Sequence, residues 1–102
     1  MKQFTLIAFD ATDPDALNRR MAAREAHLAS VVKHRANLIF GAAITDKDGK
    51  MVGSIISAQF PSREAFDAWH TTDPYIVQNV WEKVTVYDTK LAPPFADLLK
   101  AA

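Results

Sequence analysis

Two apolar runs, Leu38 to Thr45 and Met51 to Phe60, stand on either side of the polar pentapeptide Asp46-Lys47-Asp48-Gly49-Lys50. A glycine-containing linker of that length between runs of strand length predicts a β-hairpin. What flanks the hairpin then limits the fold. Lys2 to Phe9, ending at Asp10, is another short apolar run with strand character. After it, Asp13-Pro14 offers an N-cap and a first-turn proline, and Leu17, Met21, Leu28, Val31 and Val32 recur with helical period. Asn37 suits the left-handed position that closes a helix, so a helix of about 22 residues is expected. Downstream, Ser62 caps a second helix through Ala65, Phe66 and Trp69 to about Thr71; Asp73-Pro74 starts a further turn, and Val80 to Tyr87 returns to strand patterning. The order is βαββαβ, the α+β ferredoxin-like sandwich.

Helices cover only one face of such a sheet, yet both faces look apolar. Phe4, Leu6 and Ala8 alternate with Ile7 and Phe9; Val80, Val84 and Val86 alternate with Trp81 and Tyr87. A second copy packed sheet to sheet would cover the remaining face, so a homodimer forming an α/β barrel is expected, with Trp81, Tyr87 and the first-strand aromatics at the interface. Residues 1–90 then make the domain. Residues 91–102, with Pro93-Pro94 followed by Phe95, Leu98 and Leu99, read as an extended arm ending in a short amphipathic helix that contacts the partner.

Composition removes several function classes. Twelve basic and twelve acidic side chains cancel without any block of like charge, which argues against nucleic acid or an anionic membrane as partner. No cysteine is present, so disulfides, thiolate metal sites and cysteine nucleophiles are excluded. The beginning of the chain shows neither a charged-then-apolar leader nor a long apolar span, and the cytoplasm is the expected location. No metal-ligand spacing, phosphate loop, dinucleotide fingerprint or nucleophile elbow occurs, so no metal or cofactor is expected.

The residues suited to chemistry are His27 and Asp73. A histidine held by a carboxylate has a fixed tautomer, which a general base or acid needs. His27 falls at the border of the apolar stripe centred on Leu17, Met21 and Leu28. Arg24, one turn earlier, lies within that stripe and should meet a carboxylate, a carbonyl or an anionic ligand, because an unpaired buried guanidinium is costly. Simpler readings exist for both: a border histidine with no role, and an Asp-Pro pair that only caps a helical turn. Gly41 and Gly53 are candidates for close backbone approach, bulges or cavity walls, and Gly53-Ser54 for lining a pocket. Tyr75, Trp69 and Trp81 are aromatics of a core, an interface or a ligand platform.

These residues, taken in order, resemble the YCII-related family of small dimeric α+β barrel proteins. The resemblance rests on Arg24-Glu25-Ala26-His27-Leu28, Phe40-Gly41-Ala42, Gly53-Ser54, Ser62 through Trp69, and Asp73-Pro74-Tyr75 followed by Trp81, and it covers the chain to about Tyr87. It implies a candidate catalytic His/Asp pair in a cleft, falling on His27 and Asp73. Arg24, Ser54 and Tyr75 are expected to contact the substrate on the residue reading above. Family members with an assigned reaction look like lyases acting on substituted hydroquinones. The chain departs from the pattern at Asn37, at Ala42-Ala43 and in its apolar tail. The expected function is a cofactor-independent lyase- or isomerase-type enzyme, using the pair for acid/base chemistry on a small cyclic or aromatic metabolite. The alternatives are a non-catalytic dimeric module that binds a small molecule, and haem handling with a histidine axial ligand.

Overall fold

The structure, a computed structural model, describes residues 1–101. Strands β1 (Lys2–Asp10), β2 (Leu38–Thr45), β3 (Met51–Phe60) and β4 (Trp81–Thr89) form one antiparallel sheet in the order β2-β3-β1-β4. Helices α1 (Ala16–Lys33), α2 (Arg63–His70) and the single turn α3 (Pro74–Val77) follow β1 and β3 as the ferredoxin-like order requires. The hairpin forms where expected. The Asp46 carboxylate accepts from the amides of Asp48 and Lys50 at 2.9 and 3.0 Å, and Gly49 takes φ 83°, a conformation that needs glycine.

Helix α1 is shorter than the sequence suggests, at 18 residues. Asp13 does not cap it. Its carboxylate is held by Arg19 at 2.8 and 2.7 Å, and this hydrogen-bonded pair lowers the Asp13 pKa to about 2. The helix therefore begins at Ala16. At its other end Asn37 is not left-handed; its side-chain amide donates to the Gln59 carbonyl at 3.0 Å and ties the chain to β3. The left-handed residue is Asn79, φ 60°, where α3 turns into β4.

The buried stripe of α1 is also different. Ala16, Arg20, Ala23 and His27 face inward, whereas Met21, Leu28 and Val32 are 50%, 44% and 74% exposed. The closest backbone neighbour of α1 is the α3 turn, and Arg20 is tolerated inside because Asp10 accepts from its Nη1 at 2.9 and 3.0 Å. Apolar periodicity alone selected the wrong side.

Between helices and sheet, Phe4, Phe60, Phe66 and Trp69 pack with ring centroids 5.2 to 6.2 Å apart. Ser62 caps α2 as predicted, accepting from the Ala65 amide at 3.1 Å. Trp81 corrects the expected interface. The register slips between Phe9, paired with Lys83, and Asp10, paired with Trp81. That bulge turns the indole to the helix side, where it is 6% exposed and donates from Nε1 to Ser54 Oγ at 3.2 Å. The uncovered face instead presents Phe9, Phe40 and Tyr87, each about half exposed (45%, 46% and 52%), around Ile7 and Ile55. After β4, the Leu91 amide donates to Gln3 Oε1 at 2.6 Å, and Pro93–Ala101 is a 3₁₀ helix.

Candidate active site

Asp73 is the N-cap of α3, and its Oδ1 accepts from the Tyr75 amide at 2.9 Å. A carboxylate has lone pairs to spare, and the same group meets His27 on α1: Nδ1 lies 2.9 Å from Oδ1 and 3.0 Å from Oδ2. The capping reading and the pairing reading of Asp73 are both correct. With Asp73 1% and His27 8% exposed, the pair is shielded from bulk water. An ionised carboxylate only accepts, so Nδ1 carries the hydrogen and donates it, and in the neutral ring Nε2 is left with a lone pair. Tyr75 lies flat against the imidazole, centroids 4.0 Å apart, and Trp81 stands against its edge at 6.2 Å. The ring cannot rotate without displacing an aromatic.

Beneath the pair runs a polar network that the sequence reading missed. Arg20, 2% exposed, joins Asp10 to Ser54 Oγ (2.9 Å from Nη2) and lies 4.7 Å over the Tyr75 ring. Burial raises the Asp10 pKa despite the opposing charge of Arg20. The signal was present, since Arg20, Arg24 and His27 fall at i, i+4 and i+7 and share a helix face.

His27 opens on a cavity of about 440 Å³ between α1 and the β2–β3 hairpin. It exists because the residues of β2 facing α1 there are small: Gly41 pairs with Ile56 and Ala43 with Ser54. Arg20, Arg24, Ser54 and Tyr75 line it with apolar side chains of both elements, among them Val31 and Ile39. Thus His27, Arg24, Ser54 and Tyr75, singled out from the sequence, line one cavity, and Asp73 stands behind His27. They differ in how free they are. The Ser54 hydroxyl is engaged by Arg20 and Trp81, whereas the half-buried Arg24 donates to Met51 Sδ at 3.3 Å and lies close enough to the Tyr75 hydroxyl to act on it, with no carboxylate partner among the described residues. The Tyr75 hydroxyl is buried without a well-aligned partner; burial pushes its pKa above the ordinary 10.0, opposed by Arg20 and Arg24. It is a neutral phenol at neutral pH. Among the described residues, no three His, Asp or Glu side chains converge to hold a metal ion.

A ferredoxin-like sandwich with a carboxylate-held histidine at a cavity between its first helix and its hairpin defines the class. The chain belongs to the YCII-related family, whose domain matches residues 5–90. Protein YciI of Escherichia coli is 32% identical over 80 residues, 71% of this chain and 82% of that protein. Among solved structures, 5-chloro-2-hydroxyhydroquinone dehydrochlorinase of Burkholderia phenoliruptrix, in complex with 2,5-dihydroxybenzoquinone, superimposes with a TM-score of 0.78 at 21% identity, covering 88% of this chain and 95% of that one. A dimeric ferredoxin-like protein from a Jannaschia species aligns with a TM-score of 0.54 at 14% identity, over 89% of this chain and all of the other. Both likenesses are of fold.

Proposed function

We propose that the protein is a cofactor-independent enzyme in which His27 removes a proton from a small cyclic or aromatic substrate held in the cavity. The observation that carries this reading is the His27 Nδ1 to Asp73 contact of 2.9 Å, which fixes the tautomer and leaves Nε2 as the base. A substrate C–H bond breaks and the proton goes to Nε2. The electron pair moves onto a conjugated oxygen, or expels a leaving group from the adjacent carbon. Asp73 stabilises the imidazolium, and Arg24, with no carboxylate partner among the described residues, meets the oxyanion. Substituted hydroquinones are the first substrates to examine, because the enzyme from Burkholderia phenoliruptrix acts on one. Self-association through the uncovered sheet face, with the arm from residue 91 against the partner, belongs to the same reading and is supported by the dimeric fold relative.

The test is deuterium uptake. Hydroquinones and related cyclic enols incubated with the protein in D2O should exchange or eliminate at the carbon facing His27, as followed by proton NMR. His27→Gln should remove that activity by about 10²-fold or more. Binding without exchange in any compound would leave a binding module instead.

A further inference from the structure

Every carboxylate near the cavity is already used by a cation or a ring: Asp10 by Arg20, Asp73 by His27. Among the described residues, no Asp or Glu lines the cavity itself, while two arginines without a carboxylate partner do, Arg24 and Arg35. They lie at different points along it. Arg24 is one turn before His27. Arg35 lies in the turn beyond the last residue of α1, Lys33, which is itself roughly 9 Å along the helix axis from His27 at 1.5 Å per residue. Arg35 Nη1 donates to the Leu38 carbonyl at 2.6 Å, which leaves the other guanidinium N–H groups for a ligand. Between the arginines the lining is apolar, with Leu28, Val31 and Ile39. A cavity with cations at separate points and an apolar middle suits a molecule with an apolar body and a charged end.

We infer that the substrate carries a permanent carboxylate that docks on Arg35, away from the reacting carbon, while Arg24 serves charge that develops at the reacting end. The inference rests on the cavity being the substrate site proposed above and adds the class of substrate: a ring bearing a short acidic side chain. Arg35 is thereby a specificity residue. A contact made equally in ground and transition states affects KM, whereas one that strengthens in the transition state affects kcat.

The probes are 3-phenylpropanoate and its neutral amide, titrated into the labelled protein while the amide resonances of Val31, Leu38 and Ile39 are followed. The acid should bind at least tenfold tighter than the amide. Arg35→Gln should bring the acid to the level of the amide without changing the amide, and His27→Asn should keep the preference. Equal affinity of acid and amide for the unaltered protein, a preference surviving Arg35→Gln, or one abolished by Arg24→Gln alone would each overturn the assignment. A preference that behaves as expected in a protein that exchanges no substrate proton would sink the base role of His27 and leave the carboxylate site standing.

Discussion

The imidazole of His27 lies within 12° of parallel to the ring of Tyr75, centroids 4.0 Å apart, while the single carboxylate of Asp73 holds both residues, one through Nδ1 and the other through its backbone amide. Helix α1 and the α3 turn are thus locked together at the side chain proposed to do the chemistry.

That shared carboxylate allows its two roles to be separated. Asp73→Asn keeps an oxygen for the Tyr75 amide but loses the charge, whereas Asp73→Ala loses both. The alanine variant should lose about 2–4 kcal/mol, the sum of a cap and an unsatisfied buried donor, and the asparagine variant about half as much or less. Urea unfolding measures this, and equal losses would show that the cap carries no weight.

Two glycines in the hairpin should respond in opposite ways. A Cβ on Gly53 would collide with the Ala8 carbonyl across the β1–β3 ladder, so Gly53→Ala should cost about 1–3 kcal/mol or more. On Gly41 the nearest atom is the Ile55 carbonyl oxygen at 3.7 Å, an ordinary contact. Gly41→Ala should therefore stay within about 0.5 kcal/mol in thermal unfolding, while its methyl narrows the cavity and weakens ligand binding.

Only two tyrosines are present, so Tyr87→Phe leaves Tyr75 as the sole phenol. Its ultraviolet titration should have a midpoint above 10.0, because burial disfavours the phenolate. The sign for stability follows. A folded-state pKa above the unfolded one adds stability that is present below about pH 10 and lost as pH rises through the folded value. A midpoint at or below 10 would mean that Arg20 and Arg24 outweigh burial.

The uncovered sheet face predicts a dimer. Sedimentation at micromolar concentration should show one, and Phe9→Lys with Tyr87→Lys should yield folded monomer, since both side chains are about half exposed on the uncovered face, around Ile7 and Ile55. Monomer in the unaltered protein would leave that face without a partner.

Much of this architecture was legible in the sequence because its signals are local. The hairpin follows from Asp46 and Gly49, α2 from Ser62, and the α3 turn from Asp73-Pro74. The errors arose where a tertiary contact overrode a local preference. Asp13 looks like a cap but is taken by Arg19, and Asn37 looks like a left-handed terminus but bonds to Gln59. A bulge that no pattern announces moved Trp81 from the open face into the core. On α1 the apolar residues misled, because the inward face is built from alanines and from charges whose partners lie elsewhere in the chain. The contact of His27 with Asp73 was expected from short motifs taken in order and from the family resemblance they carry, and local rearrangements of this kind leave the order of motifs intact. Arg20 was missed because its partner, Asp10, read as the end of a strand.

The central claim is that Asp73 fixes the proton of His27 on Nδ1 and leaves Nε2 as the base. Long-range ¹⁵N–¹H NMR of the imidazole, recorded at a pH where the ring is neutral, reads this directly. The account predicts a protonated Nδ1 and a bare Nε2 in the unaltered protein, with that preference reduced in Asp73→Asn. A ring protonated on Nε2, insensitive to the substitution, would contradict it.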